Sequence, residues 1–168
     1  MNSVVSYYKY VLIALLFLLQ TTNVMGAQKA DEVLVIKSKK RLYLMNKGET
    51  FASFHVAFGS KPKGHKLEQG DDRTPEGRYI LDYKNAGSAY YKSIHISYPN
   101  AKDRKEARKR GVDPGGDIMI HGQKNGYGRL SLLVQRFNWT NGCIALSDRD
   151  LEQVWMAVDP GTPIEIRP

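Results

Sequence analysis

One cysteine occurs in 168 residues: Cys143, within Thr140-Asn141-Gly142-Cys143 and followed by Ile144-Ala145-Leu146. A thiol that attacks a carbonyl needs a base for its proton, donors for the oxyanion, and a backbone that leaves the sulfur reachable. Gly142 admits an unusual turn beside the sulfur and leaves the Gly142 and Cys143 N–H groups open to an oxyanion. A helix expected to begin just after Ser147 lies a few residues on. Helix N-termini favour negative charge, so the thiol is expected to ionise below its usual pKa of ~8.5. The competing reading is a buried, inert cysteine that behaves as a small hydrophobe.

Four histidines could serve as the base. His55 lies in an apolar run and reads as a core residue. His65 sits in a Lys- and Gly-rich loop and reads as solvent-facing. His95 lies on a strand, between Ile94 and Ile96, and points to the opposite face from both. His121 ends an apolar strand with Gly122 beside it, and strand ends feeding loops are good platforms for reactive groups. His121 leads and His95 stays open behind it. No Asp or Glu stands out as a third member, and a backbone carbonyl orients an imidazole equally well. With no second Cys and no His-x-x-x-His there is no metal signature. Neither a Gly-x-Ser-x-Gly elbow nor a phosphate-binding loop is present.

The elements that must position these groups read mainly as strands. Val33–Ile36 and Arg41–Met45 form a hairpin pattern, and Phe51–Phe58 continues it to Gly59. A loop rich in Gly, Lys, Asp and Pro follows from Ser60 to Gly77, with a turn at Arg73-Thr74-Pro75-Glu76-Gly77. Arg78–Tyr83, Ser93–Ser97 and Asp117–His121 resume strand character, and Pro163–Ile166 closes the chain as a strand. Asn100–Gly111 suits a short exposed helix, with six Lys or Arg against Asp103 and Glu106. It reads as a solvated face rather than a binding patch. After the turn at Asn125–Gly128, Leu130–Val134 reads as a helical turn. Ser147 caps the clearest helix, with Asp150 at capping-box spacing. Leu151, Val154, Trp155 and Val158 form its apolar stripe, read as core packing.

The first 26 residues have the form of a secretory signal. Lys9 is followed by the apolar run Val11–Leu19 and by Val24-Met25-Gly26, where cleavage is expected. The run falls short of the ~20 apolar residues that span a bilayer. Residues 27–168 then form one domain, without linker or repeat. Removing Lys9 takes the formal charge from +8 to +7. A basic exported domain favours anionic surroundings such as wall polymers or lipid head groups, and export argues against nucleic acid. A single thiol in an oxidising compartment has no intramolecular partner, which favours a chemical role.

"IMIHG" followed by "TNGCIAL" resembles the catalytic motif of the L,D-transpeptidases, the YkuD-type domain. "GDDRTPEGRYIL" and "HISYPN" leading to "PGGDIMIHG" resemble other segments of the family in the same order, so the likeness runs over residues 31–167. "TxGCIAL" is most similar to the YafK-like branch. The resemblance implies a β-sandwich of mixed sheets with a few short helices. It implies Cys143 as nucleophile, His121 as base and later acid, and the Gly122 carbonyl as the group that orients His121. Thr140 and Gly142 match site-shaping residues. The spacer 123–139 is longer than usual, which implies a differently shaped groove. Ala145 stands where many members carry an Arg, and Arg129 or Arg136 is the candidate substitute for binding substrate.

The resemblance further implies a periplasmic or cell-envelope enzyme that needs no cofactor. It would form a thioester with the L-centre carbonyl of meso-diaminopimelate in peptidoglycan stem peptides. An amine from another stem or from an envelope protein resolves it in transfer. Water resolves it in an L,D-endopeptidase or carboxypeptidase, which cuts crosslinks or releases wall-bound protein. A third reading is a non-catalytic wall-binding module that binds through residues 102–110.

Overall fold

The computed structural model describes residues 28–168. The expected signal segment, residues 1–26, lies outside the described residues. Eight strands run in chain order: β1 Glu32–Ile36, β2 Arg41–Asn46, β3 Glu49–His55, β4 Gly77–Asn85, β5 Ser93–Ile96, β6 Met119–His121, β7 Ile144–Ala145 and β8 Thr162–Arg167. Among the described residues there are two ten-residue helices, α1 (Ala101–Arg110) and α3 (Asp148–Ala157), and a single helical turn, α2 (Ser131–Val134). The strand-rich, mainly β reading holds throughout. Among the described residues no helix is long and apolar enough to cross a membrane.

Hydrogen bonding runs without a break through one mixed sheet in the order β3-β2-β1-β8-β4-β5-β6-β7. β1 pairs with β8 in parallel, as β6 does with β7, and the other pairs are antiparallel. The sheet curls until its two ends meet. Just past β3, Ala57 exchanges both backbone hydrogen bonds with Ala145 of β7, at 2.9 and 2.8 Å. A second bridge joins Gly59 to Thr140. Such closure leaves the edge at β7 paired, as edge strands require. The sandwich is thus the two faces of one folded-over sheet.

The inward positions follow the alternation of the sequence. Val33 and Val35, Leu42 and Leu44, Tyr79 and Leu81, and Ile164 and Ile166 are buried, and most of their neighbours face out. α3 lays Leu151, Val154 and Ala157 on this core. Val158 is also buried, and Trp155 packs at the edge with Lys84 and Lys92 over its ring. Ser147 Oγ accepts the Asp150 N–H at 3.1 Å, so the expected cap is present. α1 is closed by a full capping box between Asn100 and Asp103 and by left-handed Gly111.

Two expectations for histidines are overturned. His55 is exposed rather than in the core, because it ends β3 on the outward phase; its Nε2 donates to the Gln135 carbonyl at 3.0 Å. His65 is not free in solvent. Its Nδ1 accepts the Glu76 N–H at 2.9 Å and its Nε2 lies 3.2 Å from Asp103, so it fastens the loop to α1.

Candidate active site

The sulfur of Cys143 lies at the seam where the sheet closes. The parallel register pairs Ile120 with Ile144 and His121 with Ala145, so Cys143 falls beside Met119. Met119 N–H donates to Sγ at 3.4 Å, and the S–H reaches the Asp117 carbonyl at 3.6 Å. Residues two apart on a strand share a face. His121 lies two residues beyond Met119 on β6, so its imidazole leaves the same face of the strand as the side chain of Met119, the residue whose N–H meets the sulfur. In this conformation the thiol proton is directed at the Asp117 carbonyl.

His121 is buried, and its ring is held from both sides. Nδ1 lies 2.7 Å from the Gly122 carbonyl. A carbonyl only accepts, so Nδ1 carries the proton and Nε2 is left as the basic nitrogen. Tyr90 and Trp139 roof the ring, with centroids at 4.8 and 5.6 Å.

The backbone that presents Gly122 is clamped by Asp148, the first residue of α3. Asp148 Oδ1 accepts the Gln123 N–H at 2.7 Å, and the buried Gln123 amide donates to the Leu146 carbonyl at 2.7 Å. A Cβ on Gly122 would lie 2.6 Å from Asp148 Oδ1 and 2.9 Å from Tyr91 Cβ, so only glycine fits.

Thr140 and Gly142 shape the turn into the cysteine. Thr140 Oγ1 donates to the Cys143 carbonyl at 2.8 Å and accepts the Gly142 N–H at 3.2 Å. The Gly142 N–H is thereby occupied, while the Cys143 N–H has no backbone partner among the described residues. Gly142 has φ +129°, and an added Cβ would meet the Arg73 carbonyl at 2.7 Å. The Arg73–Gly77 turn thus presses directly on the turn that carries the thiol.

Burial governs the electrostatics. It pushes the Cys143 thiol above its ordinary pKa, with the Asp117 charge adding to the rise and the Met119 N–H opposing it. Burial holds His121 below the ordinary histidine value, against the pull of the Gly122 carbonyl. Both shifts favour the neutral forms, a thiol and an uncharged imidazole. The lowering expected from a helix N-terminus does not operate. α3 begins five residues after Cys143, and Ser147 takes one of its free N–H groups.

Cys143 opens onto a cavity of about 570 Å³. Its lining is polar: Lys66, Gln69, Asp72, Asp113, Asp117 and Asn141 contribute. Loop 60–77 forms one wall and is fastened from beneath. Buried Lys37 donates to the carbonyls of Gly64 and Thr74 and pairs with Glu76 at 2.8 Å. Lys66 pairs with Asp71 at 2.9 Å. Among the described residues no group of three or more His, Cys, Asp or Glu is arranged to hold a metal ion.

The remaining sequence candidates lie elsewhere. His95 faces outward on β5, its Nδ1 2.6 Å from Asp82 and its ring stacked on Tyr83. Arg129 is exposed in the 3₁₀ turn Gly128–Leu130. Arg136 lines a separate cavity with His55, Ser131 and Asp150. Ala145 is fully buried and pairs with Ala57, so the seam leaves no room for an arginine there. Sequence reasoning missed Tyr90, Gln123, Trp139 and Asp148, which nothing local marks as neighbours of His121.

Several known proteins are similar to this chain in sequence or in fold. YafK of Escherichia coli K12, which carries the L,D-transpeptidase name, is 29% identical over 132 residues, covering 75% of this chain and 46% of YafK. The crystal structure of the helical cell shape determining protein Pgp2 from Campylobacter jejuni is 30% identical, with a TM-score of 0.61, covering 80% of this chain and 46% of Pgp2. An L,D-transpeptidase from Mycobacterium tuberculosis H37Rv, 16% identical with a TM-score of 0.54, shares the fold over 82% of this chain and 57% of its own. The chain spans a little under half the length of YafK and of Pgp2. Residues 30–166 match the model of the YkuD family, the L,D-transpeptidase catalytic domain. The chain belongs to that family.

Proposed function

We propose that this protein is a cysteine-dependent L,D-transpeptidase of the bacterial cell envelope, working on peptidoglycan stem peptides. One observation carries the reading. His121 ends β6 and Cys143 directly precedes β7, the parallel strand beside it, with His121 Nδ1 bound to Gly122 and Nε2 left basic.

The chemistry runs in two halves. His121 Nε2 takes the thiol proton as Sγ attacks the L-centre carbonyl of meso-diaminopimelate. The oxyanion forms against the Cys143 N–H. The bond to D-alanine breaks, and the imidazolium returns the proton to the leaving amine. An acceptor amine then attacks the thioester, and the sulfur leaves as the thiol.

A specific feature favours hydrolysis as a second outcome of the same thioester. The sulfur faces an open cavity lined by carboxylates and amides, a surface that holds water beside the acyl group. Incubation with purified muropeptides, read by mass spectrometry, separates the two. New crosslinked dimers mark transfer, and shortened stems marked by loss of D-alanine without dimers mark hydrolysis. Neither product, from folded protein, overturns the proposal. Export to the envelope is part of it, resting on the form of the first 26 residues and on the cell-shape role in the name of Pgp2.

A further inference from the structure

The segment between the candidate base and the candidate nucleophile is built inside out. From Tyr127 to Phe137 the chain coils through the 3₁₀ turn and α2, with bonds from Leu130 N–H to Tyr127, from Gln135 N–H to Ser131 and from Phe137 N–H to Val134. Leu130, Leu133 and Phe137 all reach its outer surface. They are 47, 61 and 69% exposed, and Tyr127 beside them is 53% exposed. One polar residue points the other way. Gln135 is buried, and both atoms of its side-chain amide lack a hydrogen-bond partner. A water-facing helical turn carries the reverse pattern. Apolar groups this large and contiguous on an outer surface mark a contact with something apolar.

The charges select the occupant. Residues 124–137 hold Lys124, Arg129 and Arg136 and no acidic residue. Neither arginine forms an ion pair among the described residues. Two carboxylates of α3 come near it: Asp148, against Gly128 and engaged by Gln123, and Asp150, which shares a cavity with Arg136. A second copy meeting this face through a twofold axis would bring the same cations together. An anionic bilayer offers both halves of the match, acyl chains for the leucines and phenylalanine and phosphates for the cations.

We infer that residues 124–137 form an interfacial docking element for an anionic lipid surface, with Leu130, Leu133 and Phe137 entering the head-group boundary and Arg129 and Arg136 lying on the phosphates. Because the element begins two residues after Gly122 and ends two before Trp139, docking holds the seam and its thiol at a fixed height beside the membrane. The inference does not depend on whether the thioester is resolved by an amine or by water.

The test is sedimentation of the full chain, purified after export, with vesicles of phosphatidylcholine alone or with phosphatidylglycerol added. The probe variant is Leu133→Asp/Phe137→Asp; both side chains are exposed, and an unchanged melting temperature checks the fold. The expected result is binding to the phosphatidylglycerol vesicles that weakens with salt and falls about tenfold or more in the variant. Leu133→Ser/Phe137→Ser, which adds no charge, is expected to lose binding in the same direction. Equal binding by wild type and both variants, or no binding by wild type, overturns the inference. So does a dimer in analytical ultracentrifugation that the variants abolish, which would mean that the stripe packs against a second copy.

Discussion

The Gly122 carbonyl accepts the Nδ1–H of its own neighbour, His121, at 2.7 Å. This one bond sets the tautomer and the ring plane and adds no buried charge, and in the proposed mechanism it takes the place of the carboxylate in a triad. Its geometry depends on Asp148, which grips the next residue through the Gln123 N–H.

Gly122→Ala drives a methyl group against Asp148 and Tyr91. The carbonyl must move, and His121 with it. A displacement of about 1 Å costs roughly a hundredfold in kcat. Stopped assays on a muropeptide, with the melting temperature in parallel, measure this. A variant with normal kcat would mean that the Gly122 carbonyl does not orient the base.

Burial disfavours both charged forms, and the signs follow from that. His121 stays neutral to a lower pH than a free histidine, and Cys143 stays protonated to a higher pH than a free thiol. The acid limb of kcat/KM is expected to have its midpoint below ~6.5, where protonation removes the base. Alkylation of Cys143 by iodoacetamide, which needs thiolate, is expected to have its midpoint above ~8.5. An alkylation midpoint near or below neutrality would mean that the resting site is a thiolate–imidazolium pair.

Thr140→Val removes the hydroxyl that joins the Gly142 N–H to the Cys143 carbonyl. Leaving two buried polar groups unpaired costs about 1–3 kcal/mol. If that cost falls on the geometry of the thiol, kcat/KM drops about ten- to a hundredfold. Thr140→Ser keeps the hydroxyl and is expected to restore most of the rate. Equal loss in both variants would point to packing of the methyl group instead.

Much of this was legible in the residues. Alternation marked the strands, the cap at Ser147 marked one long helix, and the charged run ending at Gly111 marked the other. The bond of His121 to Gly122 was expected from motif resemblance, and the same resemblance underlies the proposed pairing of Cys143 with His121. The contacts that complete the site were not legible, because they join residues far apart in the chain. Ala57 meets Ala145 only once the sheet has curled, and Asp148 reaches Gln123 only once α3 has docked. The direction of the thiol pKa was misread for the same reason. Nearness to a helix start is visible in sequence, whereas burial at a seam is a property of the closed sheet.

Lys37→Met tests the wall of the cavity. The Lys37 ammonium is the shared partner of Glu76 and of two loop carbonyls. Removing it strands those acceptors, at a cost of about 3 kcal/mol in stability. Denaturant unfolding reads that loss, and loop 60–77 should become the first site of proteolysis. An unchanged midpoint would mean that the loop is held by His65 and Lys66 without it.

The most direct measurement is the mass of the protein caught during turnover. Acid quenching of a reaction with a tetrapeptide muropeptide, followed by peptide mapping, is expected to recover the stem, less D-alanine, as a thioester on Cys143. The adduct should be absent from Cys143→Ala and strongly reduced in His121→Ala, with both variants melting like the wild type. Undiminished turnover by folded Cys143→Ala would contradict the assignment of the thiol as nucleophile.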